Sequence, residues 1–190
     1  MEYELAILLR RKATHVVMLG RNRGVMIFRH CPGLSLVGSV VRLNLRTQGR
    51  VSIEKCELLD APFALARDDL LFLHHILELC QACIPEGMRA PEIFDAIVAL
   101  YAQWSESRGN QLCKKLFLCR LLVNLGLHDR LPRVDTDLLE LVLAMPVDIA
   151  RWSTIDLGSQ CELDKWLFAC VASHPMIERF KTVHFLTGRR

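Results

Sequence analysis

Two cysteines and two histidines lie close together in the sequence, and these residue types can bind a metal or carry redox chemistry. Cys80 and Cys83 form a C-x-x-C motif, and His74 and His75 precede them. A zinc site needs further ligands and usually a turn, and a thioredoxin-type motif needs a βαβ context. The cysteines instead follow an apolar helical pattern, and adjacent histidines on a helix diverge by about 100°. We therefore predict core packing here, with no metal site and no cofactor.

Basic residues are concentrated in the first third of the chain. Residues 1–60 contain ten Lys and Arg against five Asp and Glu, whereas residues 61–190 contain fourteen against sixteen. This excess has two interpretations, a solvated outer face or a groove that follows the phosphates of a nucleic acid. The aromatic residues of this third are only Tyr3 and Phe28, which disfavours binding dominated by base stacking. The predicted DNA-binding residues are Arg10, Arg11, Lys12, Arg21, Arg23, Arg42, Arg46 and Arg50.

A smaller set of basic residues accompanies apolar helical segments later in the chain. They have two interpretations, an ordinary surface or the rim of an apolar pocket for a protein partner. In the second interpretation, the cations hold the carboxylate end of an acidic peptide by charge-assisted hydrogen bonds. The predicted partner-binding residues are Lys115, Arg120, Arg179 and Lys181.

Short motifs that would indicate an enzyme are missing from the sequence. It contains no P-loop, no dinucleotide-binding glycine motif and no nucleophile elbow. The spacing of the residues also assigns no pair of a nucleophile and a general base. We therefore expect a binding protein rather than an enzyme, and we predict no catalytic residue.

The first third of the chain, which carries these basic residues, has the composition of short strands separated by turns. They are residues 3–9, 15–19, 25–28, 36–45 and 51–58. Apolar and polar residues alternate in residues 41–46, which is typical of a strand with one buried face. Five short strands in so short a segment predict a small barrel of the OB type. We place this first domain at residues 1–60.

The middle of the chain has the helical period. Apolar residues recur at steps of three and four in residues 65–84, 93–104 and 112–123. This spacing places them on one face of each of three helices, which must bury those faces against one another. A segment with two prolines and a glycine, residues 85–91, separates the first two of these helices.

Further helices are expected towards the end of the chain. Ser159 and Glu162 form a capping box that opens one of them, and short helices are predicted at residues 138–144 and 176–183. We therefore place an α-helical domain at residues 61–190. The predicted fold is α+β, a small N-terminal OB-like β-barrel followed by a larger α-helical domain.

Composition restricts the environment of the protein. The chain is 52% hydrophobic and 24% charged, so it can bury a sizeable core. It has no uncharged apolar run of about 18 residues and no signal-peptide pattern at its start, so we expect a cytoplasmic protein without a membrane partner. Five of the eight cysteines fall in helical patterns, which fits a reducing compartment.

The order of these features resembles the RecO family of bacterial recombination and repair mediators. The resemblance covers most of the chain in order, and each segment that carries it is degenerate. The segments in the first third are residues 5–12, 16–28, 41–46 and 53–59. The later segments are residues 84–87, 91–95, 115–127 and 174–186.

The resemblance implies an OB domain on a helical domain and a nucleoid-associated protein that is not an enzyme. It implies binding of single-stranded DNA and also of double-stranded DNA, with annealing of strands or loading of a recombinase. The implied protein partners are a RecR-like protein and the C-terminal tail of the single-stranded-DNA-binding protein. Many members carry a four-cysteine zinc module after the Leu-Gly-Leu helix end, but residues 128–157 contain no cysteine. The alternative is an adaptor between proteins that has kept the fold and lost DNA binding.

Overall fold

Strands come first and helices follow in the described part of the protein. The computed structural model describes residues 2–29, 36–47, 49, 51–107, 111–126 and 157–172. The strands are β1 (Glu2–Arg11), β2 (Val16–Gly20), β3 (Gly24–Phe28), β4 (Val40–Arg46) and β5 (Ser52–Asp60). The helices are α1 (Phe63–Asp68), α2 (Leu70–Cys83), α3 (Pro91–Ser107), α4 (Gln111–Asn124) and α5 (Leu157–Ala172). The predicted α+β class with strands before helices is confirmed.

The five strands form one antiparallel sheet in the order β3-β2-β1-β4-β5. The predicted closed barrel is not what the described strands form, because β3 and β5 lie at opposite edges of an open sheet. The long first strand explains this order. After the β2–β3 hairpin, β4 returns to the free side of β1 and pairs Glu2 with Leu45 and Ile7 with Val40.

The sheet buries apolar residues on both of its faces. One face, which includes Ile7, Leu19 and Val40, shares a core with the helices. The other face carries a separate cluster that includes Leu8 and Met18. The described members of this second cluster come from all five strands, so it extends across the whole sheet.

The last strand, β5, ends at Asp60, and the first helix, α1, begins at Phe63. The two segments nevertheless share one core. Gly38, in the turn before β4, has a φ of 91° and lies against Pro62, Leu73 and the hydroxyl of Tyr101. Only glycine adopts this backbone conformation without strain, and a Cβ there would be 2.8 Å from Pro62 Cγ.

The free edge of β3 contacts the segment between α2 and α3. Val25 forms a parallel bridge with Glu86, and the Gly87 N–H donates to the Val25 carbonyl over 3.1 Å. Gly24, with a φ of 66°, lies so close to Met88 that an added Cβ would be 1.8 Å from the Met88 carbonyl oxygen. This segment therefore covers one end of the β3 edge.

The first segment with the helical period, residues 65–84, spans two helices, α1 and α2. The chain breaks at Asp69, whose carboxylate accepts a 2.9 Å hydrogen bond from the Phe72 N–H and caps α2. An acidic N-cap satisfies one of the amide groups that a helix start leaves without a helical partner. Because α2 starts here, Leu70 is 52% exposed instead of lying on the buried face.

Lys114 of α4 ties this helix start to α3. Its ammonium lies 2.5 Å from Asp69 Oδ2 and within 6 Å of the ring centres of Phe72 and Trp104. The two rings stack at 5.8 Å, and the Trp104 indole N–H donates to Asp68 over 3.2 Å. Cation–π contacts and a half-buried ion pair thus fix three helices to one another.

The helix predicted from the capping box is confirmed as α5, although it begins two residues before Ser159. It packs on α4 and buries Leu163, Trp166 and Cys170. The short helices predicted at residues 138–144 and 176–183 lie outside the described residues. Among the helices that are described, none is long and apolar enough to cross a membrane.

Candidate nucleic-acid interface

Strand β4 presents a polar row on one side of the sheet. Val41, Leu43 and Leu45 point into the strand cluster and are buried, so Arg42 and Arg46 lie on the opposite face and are exposed. They are four positions apart along the strand, which is about 13 Å and matches two phosphate steps of an extended single strand. The predicted alternation of residues 41–46 is therefore confirmed.

Tyr3 belongs to the same surface, and sequence reasoning missed it. On β1 it lies directly opposite Asn44, between the levels of Arg42 and Arg46, and 63% of it is exposed. Diagonal neighbours across two strands are about 7–8 Å apart, within reach of an aromatic ring and a long side chain. The sequence does show that Tyr3 shares a strand face with Leu5 and Ile7. It does not show which strand pairs with β1, so it could not place Tyr3 beside the arginines of β4.

Strand β5 extends this surface, which we call the β4 face and define as Tyr3, Arg42, Asn44, Arg46, Lys55 and Glu57. Lys55 lies opposite Asn44, and Glu57 lies opposite Arg42 with a 3.4 Å ion pair between them. Both partners of this pair are about half exposed, so the pair is weak and Arg42 can exchange Glu57 for another anion. The β4 face thus carries three cations, one carboxylate and one exposed aromatic ring.

Two more of the predicted DNA-binding arginines, Arg21 and Arg23, form ion pairs with carboxylates of the protein itself. Arg21 donates two hydrogen bonds of 2.8 Å to the carboxylate of Asp95 on α3, which also raise the pKa of the guanidinium. Arg23 pairs with Glu2 and lies 3.9 Å from the buried carboxylate of Glu4. These contacts fasten the β2–β3 turn, so both arginines have a structural partner.

The buried carboxylate of Glu4 binds the backbone of the same turn. It is 3% exposed, and its Oε1 accepts a 2.7 Å hydrogen bond from the Asn22 N–H. A buried carboxylate needs such donors, because a charge transferred from water without partners is costly. The turn that carries Arg21 and Arg23 is therefore held by carboxylates on two sides.

The basic residues at the end of β1 lie apart from the β4 face. Arg10 and Arg11 pair with Val17 and Val16, so their side chains leave on opposite faces of the sheet. Both are exposed, as is Lys12 at the start of the turn. They lie at the end of β1 remote from Tyr3 and Arg46. Arg50 lies outside the described residues.

The predicted partner-binding residues are not assembled into one described site. Lys115 forms a 2.7 Å ion pair with Asp164 and so joins α4 to α5. Arg120 is half-buried on α4. Arg179 and Lys181 lie outside the described residues.

The C-x-x-C motif lies on α2 in apolar surroundings. Cys80 is fully buried, which raises the pKa of its thiol far above neutral pH, and burial raises the pKa of Cys83 to about 11. Thiols with raised pKa values are poor nucleophiles and poor metal ligands. Within the described ranges, no group of three or more His, Cys, Asp and Glu side chains is arranged to hold a metal ion.

A small cleft lies where the C-terminal ends of α2 and α4 meet the start of α3. Its volume is about 260 Å³, below the range of about 300–1,000 Å³ that is usual for ligand pockets. Arg89 and Glu92 are its charged lining residues, and they carry opposite signs. The cleft therefore offers less to a polyanion than the β4 face does.

Comparisons with known proteins do not assign this chain to a family. The chain matches no protein-family model, and a search of curated proteins finds no significant match. The resemblance to the RecO family therefore rests on the sequence segments quoted above.

Proposed function

We propose that the protein binds single-stranded DNA through the β4 face, without reading its sequence. The observation that supports this most is the position of Tyr3 between Arg42 and Arg46 on one exposed surface. Proteins that bind single strands combine cations that follow the backbone with aromatic rings on which bases stack. Every base has a stacking face, so such a surface tolerates any sequence.

The proposal extends to the biological role that the sequence resemblance implies. In this role the protein is a recombination and repair mediator of the RecO type, which anneals strands or loads a recombinase and performs no chemistry itself. A five-stranded antiparallel sheet that has its own apolar cluster and precedes the helices supports this assignment. Its partners would be a RecR-like protein and the acidic tail of a single-stranded-DNA-binding protein, and it would act at the nucleoid.

The second candidate function is an adaptor between proteins that has lost DNA binding. One observation favours it, namely that several predicted contact cations pair with a carboxylate of the protein itself: Arg21, Arg23, Arg42 and Lys115. These pairs reduce the number of cations available to phosphates. The two candidates differ in a simple measurement, the affinity for a single-stranded oligonucleotide.

The test is a set of single substitutions on the surface. Replacing Tyr3 by Ala should lower the affinity for a mixed-sequence oligonucleotide about 5- to 150-fold, because stacking contributes about 1–3 kcal/mol per base. Tyr3→Phe should keep most of the affinity, since it retains the ring. Ile27→Ala, at an exposed position on β3, is the matched control and should have no effect. Equal affinity of the Tyr3→Ala variant and the unchanged protein would refute the proposed site.

A further inference from the structure

Strand β5 is an exposed edge of the sheet. It pairs with β4 on one side, and on its other side the described residues provide no partner strand. Its side chains are exposed or half-exposed along its whole length, from Ser52 to Asp60. A row of amide and carbonyl groups at such an edge is a template for pairing with another strand.

The middle of β5 is the part best suited to such pairing. Bulges interrupt its ladder with β4 at Glu54 and at Leu59, so the regular run between them is Lys55 to Leu58. Within this run the strand alternates between the cluster side, which includes Cys56, and the outer side, which carries Lys55 and Glu57. A partner strand must match this alternation and these charges.

Charge complementarity favours a second copy of the chain in the register centred on Cys56, which pairs both charged residues of the run with opposite charges. In an antiparallel pair of strands, residues that lie opposite each other point to the same face of the sheet. When two identical strands are related by a two-fold axis, one residue must therefore lie opposite the same residue of the other copy. With Cys56 at that position, Lys55 of each copy lies opposite Glu57 of the other. Centring the pair on Lys55 or on Glu57 would instead place like charges opposite each other, which destabilises a sheet.

We propose that β5 pairs with β5 of a second copy in this register, with Cys56 opposite Cys56. The pairing joins two sheets into one and forms two Lys55–Glu57 ion pairs. Leu58 and Leu59, which are 57% and 42% exposed, lie at the end of the same edge and add apolar surface to the contact. The β4 faces of both copies then lie on the same side of the joined sheet, since the two-fold axis is perpendicular to it.

This proposal does not depend on DNA binding, and oxidative cross-linking tests it directly. Residues opposite each other in an antiparallel pair have Cα atoms about 4.5–5.5 Å apart, which a disulfide can span. Diamide added to the purified protein should oxidise the two Cys56 thiols, which form a disulfide while diamide takes up two electrons and two protons. A covalent dimer should appear on a non-reducing gel, and a peptide linked through Cys56 should be found by mass spectrometry.

Cys161 provides the matched control for random collisions. It is exposed on α5, whereas Cys56 is half-buried, so unspecific oxidation would favour Cys161. Cys56→Ser should abolish the covalent dimer, and Cys161→Ser should leave it unchanged. A dimer that persists in the Cys56→Ser variant, or that is linked through Cys161, would overturn the proposed register.

Charge reversal is the second measurement, and it needs no oxidant. Lys55→Glu places two carboxylates opposite each other on both sides of the axis, so the dimer should be lost in sedimentation at matched concentration. Adding Glu57→Lys to that variant restores opposite charges and should restore the dimer. Circular dichroism of each variant should show that the monomer is folded. A wild-type protein that stays monomeric at every concentration, or a dimer that is indifferent to Lys55→Glu, would refute the proposal.

Discussion

Tyr3 and Asn44 lie directly opposite each other on β1 and β4, although they are far apart in the sequence. The pairing places an exposed aromatic ring at a level between Arg42 and Arg46 on the surface of the sheet. Neither feature alone indicates a nucleic-acid interface. Together they form the combination of ring and cations that single strands bind.

The contact between Gly24 and Met88 predicts a large loss of stability on substitution. Gly24→Ala imposes a strained φ of 66° and also places a Cβ 1.8 Å from the Met88 carbonyl oxygen. Either the edge of β3 or the segment before α3 must then move. We expect the free energy of unfolding, measured by urea denaturation, to fall by more than the about 1–2 kcal/mol that the left-handed conformation costs alone.

Gly87 provides the matched control for this prediction. Its φ of 78° is similar, but a Cβ there would meet no atom within 4 Å. Gly87→Ala should therefore show the conformational cost without the collision, and its loss of stability should be the smaller one. Equal losses for the two variants would show that the close approach of Met88 contributes nothing.

The burial of His75 leads us to expect that the protein loses stability in mild acid. The residue is 1% exposed on α2, and burial lowers its pKa to about 4, with Glu78 opposing the shift in part. The unfolded chain therefore takes up a proton near pH 6.5, whereas the folded protein does so only near pH 4. Stability is complete above pH 6.5 and falls as the pH drops towards 4, with about 2 kcal/mol lost between pH 7 and pH 5.

The neighbouring histidine separates this effect from other titrations. His74 is exposed on the same helix. His75→Leu should flatten the decrease in unfolding free energy between pH 7 and pH 5, whereas His74→Gln should leave it in place. An unchanged pH dependence in the His75→Leu variant would contradict the assignment.

The buried hydroxyl of Tyr101 leads us to expect that replacing this residue by Phe is neutral or stabilising. Its hydroxyl is buried against Gly38 without a hydrogen-bond partner among the described residues, and burial raises its pKa above the usual range. Removing an unsatisfied buried hydroxyl relieves a cost of about 1–3 kcal/mol. Tyr101→Phe should therefore be at least as stable as the unchanged protein in urea denaturation. Tyr101→Ala, which also removes the ring, should be less stable by about 3–5 kcal/mol. A clear loss of stability in the Phe variant would indicate a partner for the hydroxyl.

The local part of this fold could be predicted from the sequence. The alternation in β4 gave the exposed positions of Arg42 and Arg46, and the helical period gave the burial of Trp104 and Leu116. These features depend on neighbours along the chain, which the sequence displays directly. The break at Asp69 was missed, because the apolar period continues across it and hides the capping residue.

The contacts between distant segments could not be predicted. Arg21 meets Asp95 only because α3 packs beside the β2–β3 turn, and this contact removes Arg21 from the set of open cations. The partner of β1 is likewise set by the whole sheet, since β4 pairs with β1 and not with β3. The position of Tyr3 beside Arg42 and Arg46 depends on that choice.

A salt titration of DNA binding tests the central claim most directly. The affinity for a mixed-sequence single strand is measured over a series of salt concentrations, for the unchanged protein and for a variant with Arg42→Ala and Arg46→Ala. Binding should weaken steeply with salt, and the variant should bind all sequences more weakly with a salt slope smaller by about one to two units. No measurable binding of the unchanged protein at about 50 mM salt, where phosphate contacts are strong, would contradict the account.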